Sequence, residues 1–154
     1  MGITFRRDEK TAVVETTKGK VQGYIQNDIC VFKGIPYAKA RRFHAPEPVP
    51  GWTDVFDASS FGFVCPQLSL PRPNGELYVP HRYWPMDEDC LNLNLWTPGC
   101  DDAKRPVMVW LHGGGYESGS AIEHIAYEGE NMSRYGDVVT ITVNHRLNII
   151  GYFD

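Results

Sequence analysis

Hydrophobic and polar positions divide the chain into three stretches of different rhythm. Residues 12–17, 21–25 and 29–37 are short β-branched runs, separated by Lys18-Gly19-Lys20 and Gln26-Asn27-Asp28. Turn residues between short apolar runs predict an antiparallel meander. Residues 1–11 ahead of it are charged and unpatterned, and are expected to form a disordered lead-in. Residues 40–86 carry no period. Pro46, Pro48 and Pro50 recur at alternate positions, followed by Trp52, Phe56, Phe61 and Phe63, then Pro66, Pro71, Pro73, Pro80 and Pro85. That stretch is too apolar for a linker and is expected as irregular backbone held to a scaffold by its aromatic rings.

Regular patterning returns at Cys90. Leu91-Asn92-Leu93-Asn94-Leu95-Trp96 alternates at period two, which predicts a half-buried strand closed by Thr97-Pro98-Gly99. Residues 106–111 are continuously apolar and predict a strand buried on both faces. The run ends in His112-Gly113-Gly114-Gly115, then residues 121–135 have mixed helical character with Gly136 placed as a C-terminal cap. Residues 138–144 form a second β-branched run. Strand, glycine loop, helix and strand make a βαβ unit, which requires a parallel pair and an α/β fold class.

Composition narrows the picture further. The chain has 154 residues, 42% hydrophobic and 22% charged, the profile of a globular protein. Its net charge of −4 is dispersed, so nothing suggests a nucleic-acid footprint. No apolar run approaches the ~18 residues of a spanning helix, and the N-terminus lacks a signal-peptide apolar region. A cytoplasmic protein with reduced thiols is the expectation. Cys30, Cys65, Cys90 and Cys100 match no zinc spacing, and His44, His81, His112, His124 and His145 form no ligand pair, so neither metal nor cofactor is expected.

The glycine triplet carries the candidate chemistry. Neither a dinucleotide fingerprint, which would need glycine at Ser118, nor a phosphate-binding P-loop is present. Three glycines directly after a strand instead free backbone N–H groups to converge on one oxygen, the arrangement of an oxyanion hole.

In order along the chain, Gly19-Lys20-Val21-Gln22-Gly23, Phe32-Lys33-Gly34-Ile35-Pro36-Tyr37-Ala38, Glu88-Asp89-Cys90-Leu91-Asn92-Leu93-Asn94, Trp110-Leu111-His112-Gly113-Gly114-Gly115 and Asn144-His145-Arg146 resemble motifs of the type-B carboxylesterases. That family includes the cholinesterases. The resemblance implies the amino-terminal part of an α/β-hydrolase fold, over residues 12–154, ending before the nucleophile elbow. It implies that Gly114 and Gly115 donate to the oxyanion and that Gly113 supplies the bend. It also implies a buried structural pair, Arg42 with Glu88, and it matches Cys65 and Cys90 to positions that secreted relatives join by a disulfide. Without an export signal, free thiols are expected there. The spacer Lys39-Ala40-Arg41 is shorter than the family's, and Trp84 resembles the cholinesterase cation-binding tryptophan only loosely.

No Gly-x-Ser-x-Gly occurs. Ala58-Ser59-Ser60-Phe61-Gly62 precedes the glycine loop and reads as an ordinary loop, while Ser118 and Ser120 are expected to shape the loop itself. The leading expectation is therefore the oxyanion-hole segment of a serine esterase acting on small carboxylic esters, inactive alone because nucleophile, acid and histidine lie beyond residue 154. The alternatives are a non-catalytic cholinesterase-like interaction protein or a truncated remnant. If the fold stops after residues 138–144, that last strand is expected to have an unpaired edge open to self-association.

Overall fold

The structure is a computed structural model and describes residues 2–67 and 82–152. Pro71, Pro73, Pro80 and His81 lie outside the described residues. Among the described residues, eleven strands and two short α-helices follow in order: β1 (Phe5–Arg6), β2 (Val13–Thr16), β3 (Gly19–Gln22), β4 (Tyr24–Gln26), β5 (Ile29–Pro36), β6 (Ala38–Lys39), β7 (Glu47–Pro48), β8 (Phe56–Asp57), β9 (Asn92–Thr97), β10 (Val107–Leu111), α1 (Glu130–Gly136), β11 (Val139–Val143) and α2 (Asn148–Gly151). The main sheet runs β1-β4-β5-β9-β11-β10, and a second sheet runs β2-β3-β8. In the main sheet every pairing is antiparallel except β10 with β11, in register from Val107↔Val139 to Leu111↔Val143. The βαβ unit is thus present, with a 3-10 turn at Ile125–Tyr127 and α1 in its crossover.

Three expectations are revised. The single meander splits at Gly23, sending β3 to the small sheet and β4 to the large one. The split needs glycine because a Cβ there would lie 2.1 Å from the Val31 carbonyl oxygen. The expected lead-in contributes β1, whose Phe5 pairs with Gln26 and packs on Tyr24. The left-handed residue after α1 is Asp137, with φ 49°, so Gly136 closes the helix from inside it.

The alternation in β9 is buried on its polar side. Asn92 and Asn94 are almost fully inaccessible, whereas Leu93 and Leu95 are half-buried. The cause lies in β11, which pairs with β9 so that Thr142 stands opposite Asn94 and Thr140 opposite Trp96. Asn94 Nδ2 donates to Thr142 Oγ1 at 3.1 Å, and Asn94 Oδ1 accepts from the Gly34 N–H at 3.0 Å. A buried polar face is stable when its groups are paired in this way.

Helix α1 covers that face. Ser133, fully buried, places Oγ 3.0 Å from both the Trp96 carbonyl oxygen and Thr140 Oγ1. Glu130 accepts from Gln26 Nε2 and Asn27 Nδ2, both at 2.9 Å, which ties the helix to the β4–β5 turn. Ser133→Ala removes a hydroxyl from a dry site and leaves the Trp96 carbonyl short of a donor. It is expected to destabilise the chain by about 1–2 kcal/mol, read as a lower urea midpoint with an unchanged slope.

The sheet edge also differs from expectation. Strand β11 lies inside the sheet, between β9 and β10, and the outer strand is β10. Val107, Val109 and Leu111 are each more than half exposed, so β10 is not buried on both faces. On the helix side Trp110 packs against Tyr127, with ring centroids 5.3 Å apart. Sequence order does not dictate lateral order, because a parallel crossover can return a strand on either side of its predecessor.

Candidate active site

The glycine loop follows β10 and folds back on itself. Gly114, Gly115 and Tyr116 all have positive φ, at 123°, 62° and 64°. At Gly114 a Cβ would sit 2.0 Å from the Ser118 carbonyl oxygen, so only glycine fits. The Gly114 carbonyl accepts from the N–H groups of Glu117 and Ser118, at 3.1 and 3.2 Å, which closes the turn. Gln67 clamps the far end, its Oε1 accepting from Gly119 N–H at 2.6 Å and its Nε2 donating to the Gly119 carbonyl at 3.1 Å. The expected loop-shaping role of the serines is seen in Ser118, whose Oγ reaches the Gly114 carbonyl, and in Ser120, whose Oγ accepts from Ile122 N–H. Among the described residues, the N–H groups of Gly113, Gly114 and Gly115 have no acceptor.

The loop borders an open cleft of about 710 Å³, lined by Gly113, Gly115 and His112 together with Tyr37, Leu93, Leu111, Val143 and Leu147 among others. Most of that lining is carbon. His112 is buried, donates from Nδ1 to the Gly113 carbonyl at 2.8 Å, and stacks on His145 with centroids 4.7 Å apart and planes 7° from parallel. Burial lowers its pKa below the ordinary histidine value, against the pull of the Gly113 carbonyl and with help from His145. The ring is therefore neutral at pH 7 and pins the start of the loop with a single N–H.

Beneath the cleft lies a buried asparagine chain that pattern alone did not disclose. Asn144 Oδ1 accepts from Ala121 N–H at 2.8 Å, and Asn144 Nδ2 donates to Asn92 Oδ1 at 3.1 Å. Asn92 Nδ2 donates onward to the Phe63 carbonyl at 2.8 Å, and Tyr37 donates its hydroxyl to the Asn144 carbonyl at 2.9 Å. Burial pushes the Tyr37 phenol up to about 12, so it remains a donor through the neutral range. The chain joins β5, β9, the end of β11 and the segment after the glycine loop. It fixes Ala121, in the segment after the glycine loop, to β9 and the end of β11.

The remaining expected residues sit apart from the cleft. Arg42 and Glu88 meet, with Nε and Nη2 both on Glu88 Oε1, and the arginine holds the Glu88 carboxyl below its ordinary range. The pair is not buried, because Arg42 is largely exposed and both nitrogens share one oxygen. Cys65 and Cys90 are free thiols buried in one cluster with Leu147, and Cys65 Sγ accepts from Leu147 N–H at 3.0 Å. Trp84 packs edge-on against Phe61, over whose ring the Lys33 ammonium sits at 4.0 Å, and it does not line the cleft. Ser59 and Ser60 lie in a loop pinned by Ala58, with no elbow around them. Among the described residues no cluster of His, Cys, Asp and Glu forms a metal site, and no helix is long and apolar enough to cross a membrane.

The family model described as the carboxylesterase family matches residues 10–154. The chain belongs to the carboxylesterase family. It is 41% identical over 144 residues to a phenmedipham hydrolase of Pseudarthrobacter oxydans, covering 91% of this chain and 29% of that protein. A para-nitrobenzyl esterase of Bacillus subtilis is 39% identical over 145 residues, covering 91% and 28%. An esterase from Clostridium hathewayi, described as hydrolysing aliphatic aromatic polyesters, superposes with a TM-score of 0.92 at 57% identity, over 99% of this chain and 30% of that one. The fold is that of the α/β-hydrolases, of which this carboxylesterase-family chain holds the amino-terminal portion. It spans about three-tenths of the length of these relatives.

Proposed function

We propose that this chain supplies the oxyanion-binding segment of a serine hydrolase acting on small carboxylic esters. The observation that carries the reading is the glycine loop: the Gly114 and Gly115 N–H groups have no acceptor among the described residues, and Gly113 and Gly115 line an apolar cleft. In acyl transfer the attacked carbonyl oxygen becomes an alkoxide in the tetrahedral intermediate. Amide donors already aimed at that position stabilise it without reorganising, and each is worth about 2.7–4 kcal/mol of barrier. Gly113 supplies the bend after β10, and His112 holds the bend through its carbonyl. The serine nucleophile, its histidine base and the orienting carboxylate come from sequence beyond residue 154. Ester cleavage by this route calls for no metal or cofactor.

The test joins residues 1–154 to the carboxyl-terminal portion of the Bacillus subtilis para-nitrobenzyl esterase, in place of the matched segment. The chain alone is expected to show no labelling by a fluorophosphonate probe and no turnover of a p-nitrophenyl ester. The chimera is expected to show both. Labelling of the isolated chain contradicts the reading, and so does a chimera that labels at its serine yet leaves the ester intact.

A further inference from the structure

Residues 145–152, which follow β11, meet the glycine loop on both sides of Gly114 and Gly115. On one side the His145 ring stacks on the His112 ring, whose Nδ1 holds the Gly113 carbonyl. On the other, the Asn148 N–H donates to the Tyr116 carbonyl at 2.7 Å, and the Tyr152 ring packs on the Tyr116 ring with centroids 4.6 Å apart. The two contacts are joined to each other. His145 Nδ1 donates to the Arg146 carbonyl at 2.9 Å, the Tyr152 hydroxyl stands 3.3 Å from the same nitrogen, and the two rings meet edge-on. The segment is itself fixed, since Asn148 Nδ2 donates to the Pro66 carbonyl at 2.8 Å and the Gly151 and Tyr152 N–H groups close a turn on the Leu147 and Asn148 carbonyls.

We propose that His145 and Tyr152 are positioning residues for the glycine loop, acting through His112 and Tyr116. Tyr116 has a φ of 64°, a left-handed backbone that a residue with a side chain adopts at a cost. Such a conformation persists only where its surroundings over-determine it. The Asn148 N–H fixes the peptide plane after Tyr116, and Tyr152 fixes the direction of a ring that is otherwise largely exposed. Truncating Tyr152 uncovers that ring and lets Tyr116 return to negative φ. Truncating His145 frees the His112 ring to turn away from the Gly113 carbonyl. Either change loosens the stretch that carries the Gly114 and Gly115 N–H groups. The catalytic consequence rests on the oxyanion reading of those two groups, because such donors act by being in place before charge develops.

Two measurements test this, one on the 154-residue chain and one on the chimera with the Bacillus subtilis carboxyl-terminal portion. In the chain, NMR follows hydrogen exchange at the Glu117 and Ser118 amides, which donate to the Gly114 carbonyl, and the strong intraresidue amide–Hα cross-peak that left-handed Tyr116 gives. His145→Ala and Tyr152→Ala are each expected to lose protection at Glu117 and Ser118 while the amides of β5 and β9 keep theirs. The Tyr116 cross-peak weakens in Tyr152→Ala. In the chimera each alanine variant is expected to lower kcat by about 10–10²-fold with KM little changed, the cost of displacing groups at the reacting centre. His145→Phe and Tyr152→Phe keep a ring at each contact and restore most of that loss. A chimera without turnover counts against the oxyanion reading, and the NMR data on the chain then still decide whether the two rings hold the loop. Loop amides that exchange as in the unaltered chain, an unchanged kcat in an active chimera, or a loss that phenylalanine does not restore overturns the proposal. So does loss of protection across β5 and β9 together with the loop, the mark of a general loosening.

Discussion

Gly114→Ala is expected to lower kcat of the completed chimeric enzyme by about 10²–10³-fold with little change in KM, the size of effect seen when one oxyanion donor is lost. The added methyl meets the Ser118 carbonyl oxygen at 2.0 Å, and the backbone must also give up a φ of 123°. Relief requires the turn from Gly114 to Ser118 to open, which moves the Gly114 and Gly115 N–H groups together. Gly115→Ala provides the contrast. It too has positive φ, but its methyl would point into open space, so the cost is a left-handed alanine of about 1–2 kcal/mol and no collision. Steady-state kinetics of the two variants, alongside probe labelling to confirm an intact nucleophile, decide the matter. Equal losses in both would mean that the loop's shape is not what supports turnover.

The largest stability effect is expected at Asn144. Asn144→Ala leaves the Ala121 N–H and the Asn92 Oδ1 without partners in a dry interior, at about 1–3 kcal/mol each, and the missing volume adds to this. The sum is of order 3–5 kcal/mol, a large part of the stability of an ordinary domain. Asn144→Asp keeps an acceptor for Ala121 but sets an oxygen against Asn92 Oδ1, and Asn92 cannot turn its amide without losing the Phe63 carbonyl. It is expected to be nearly as damaging. Urea unfolding of the chain checks both, with the exposed Tyr135→Ser as a reference expected to stay within about 0.5 kcal/mol. An Asn144→Ala midpoint close to that reference would show that water or a neighbour satisfies the freed groups.

The glycine loop was legible from residues 110–116 because its shape lies in the main chain. Glycine frees the backbone wherever the fold places it, and a strand before it with a strand after it sets the direction of the loop. Much of what supports that loop was not legible in the same way. Asn92 and Asn94 read as the outward side of a half-buried strand, since period two reports only that two faces differ. Which face is covered depended on Thr140, Thr142 and Ser133, residues tens of positions away whose hydroxyls and carbonyl contacts make the polar side the inner one. Arg42 and Glu88 met as the resemblance implies, but whether a pair is buried depends on its surroundings, and Arg42 lies at the surface.

Sequence by itself determined the local events: the turns, the parallel strand pair with its glycine loop, the lack of a serine elbow and the family. Tertiary structure alone decided the break of the meander at Gly23, the placing of β11 inside β10, and the asparagine chain under the cleft. The difference is physical. Backbone freedom and periodicity belong to neighbouring residues, whereas burial, strand order and hydrogen-bond partnership exist only between segments that the chain brings together on folding.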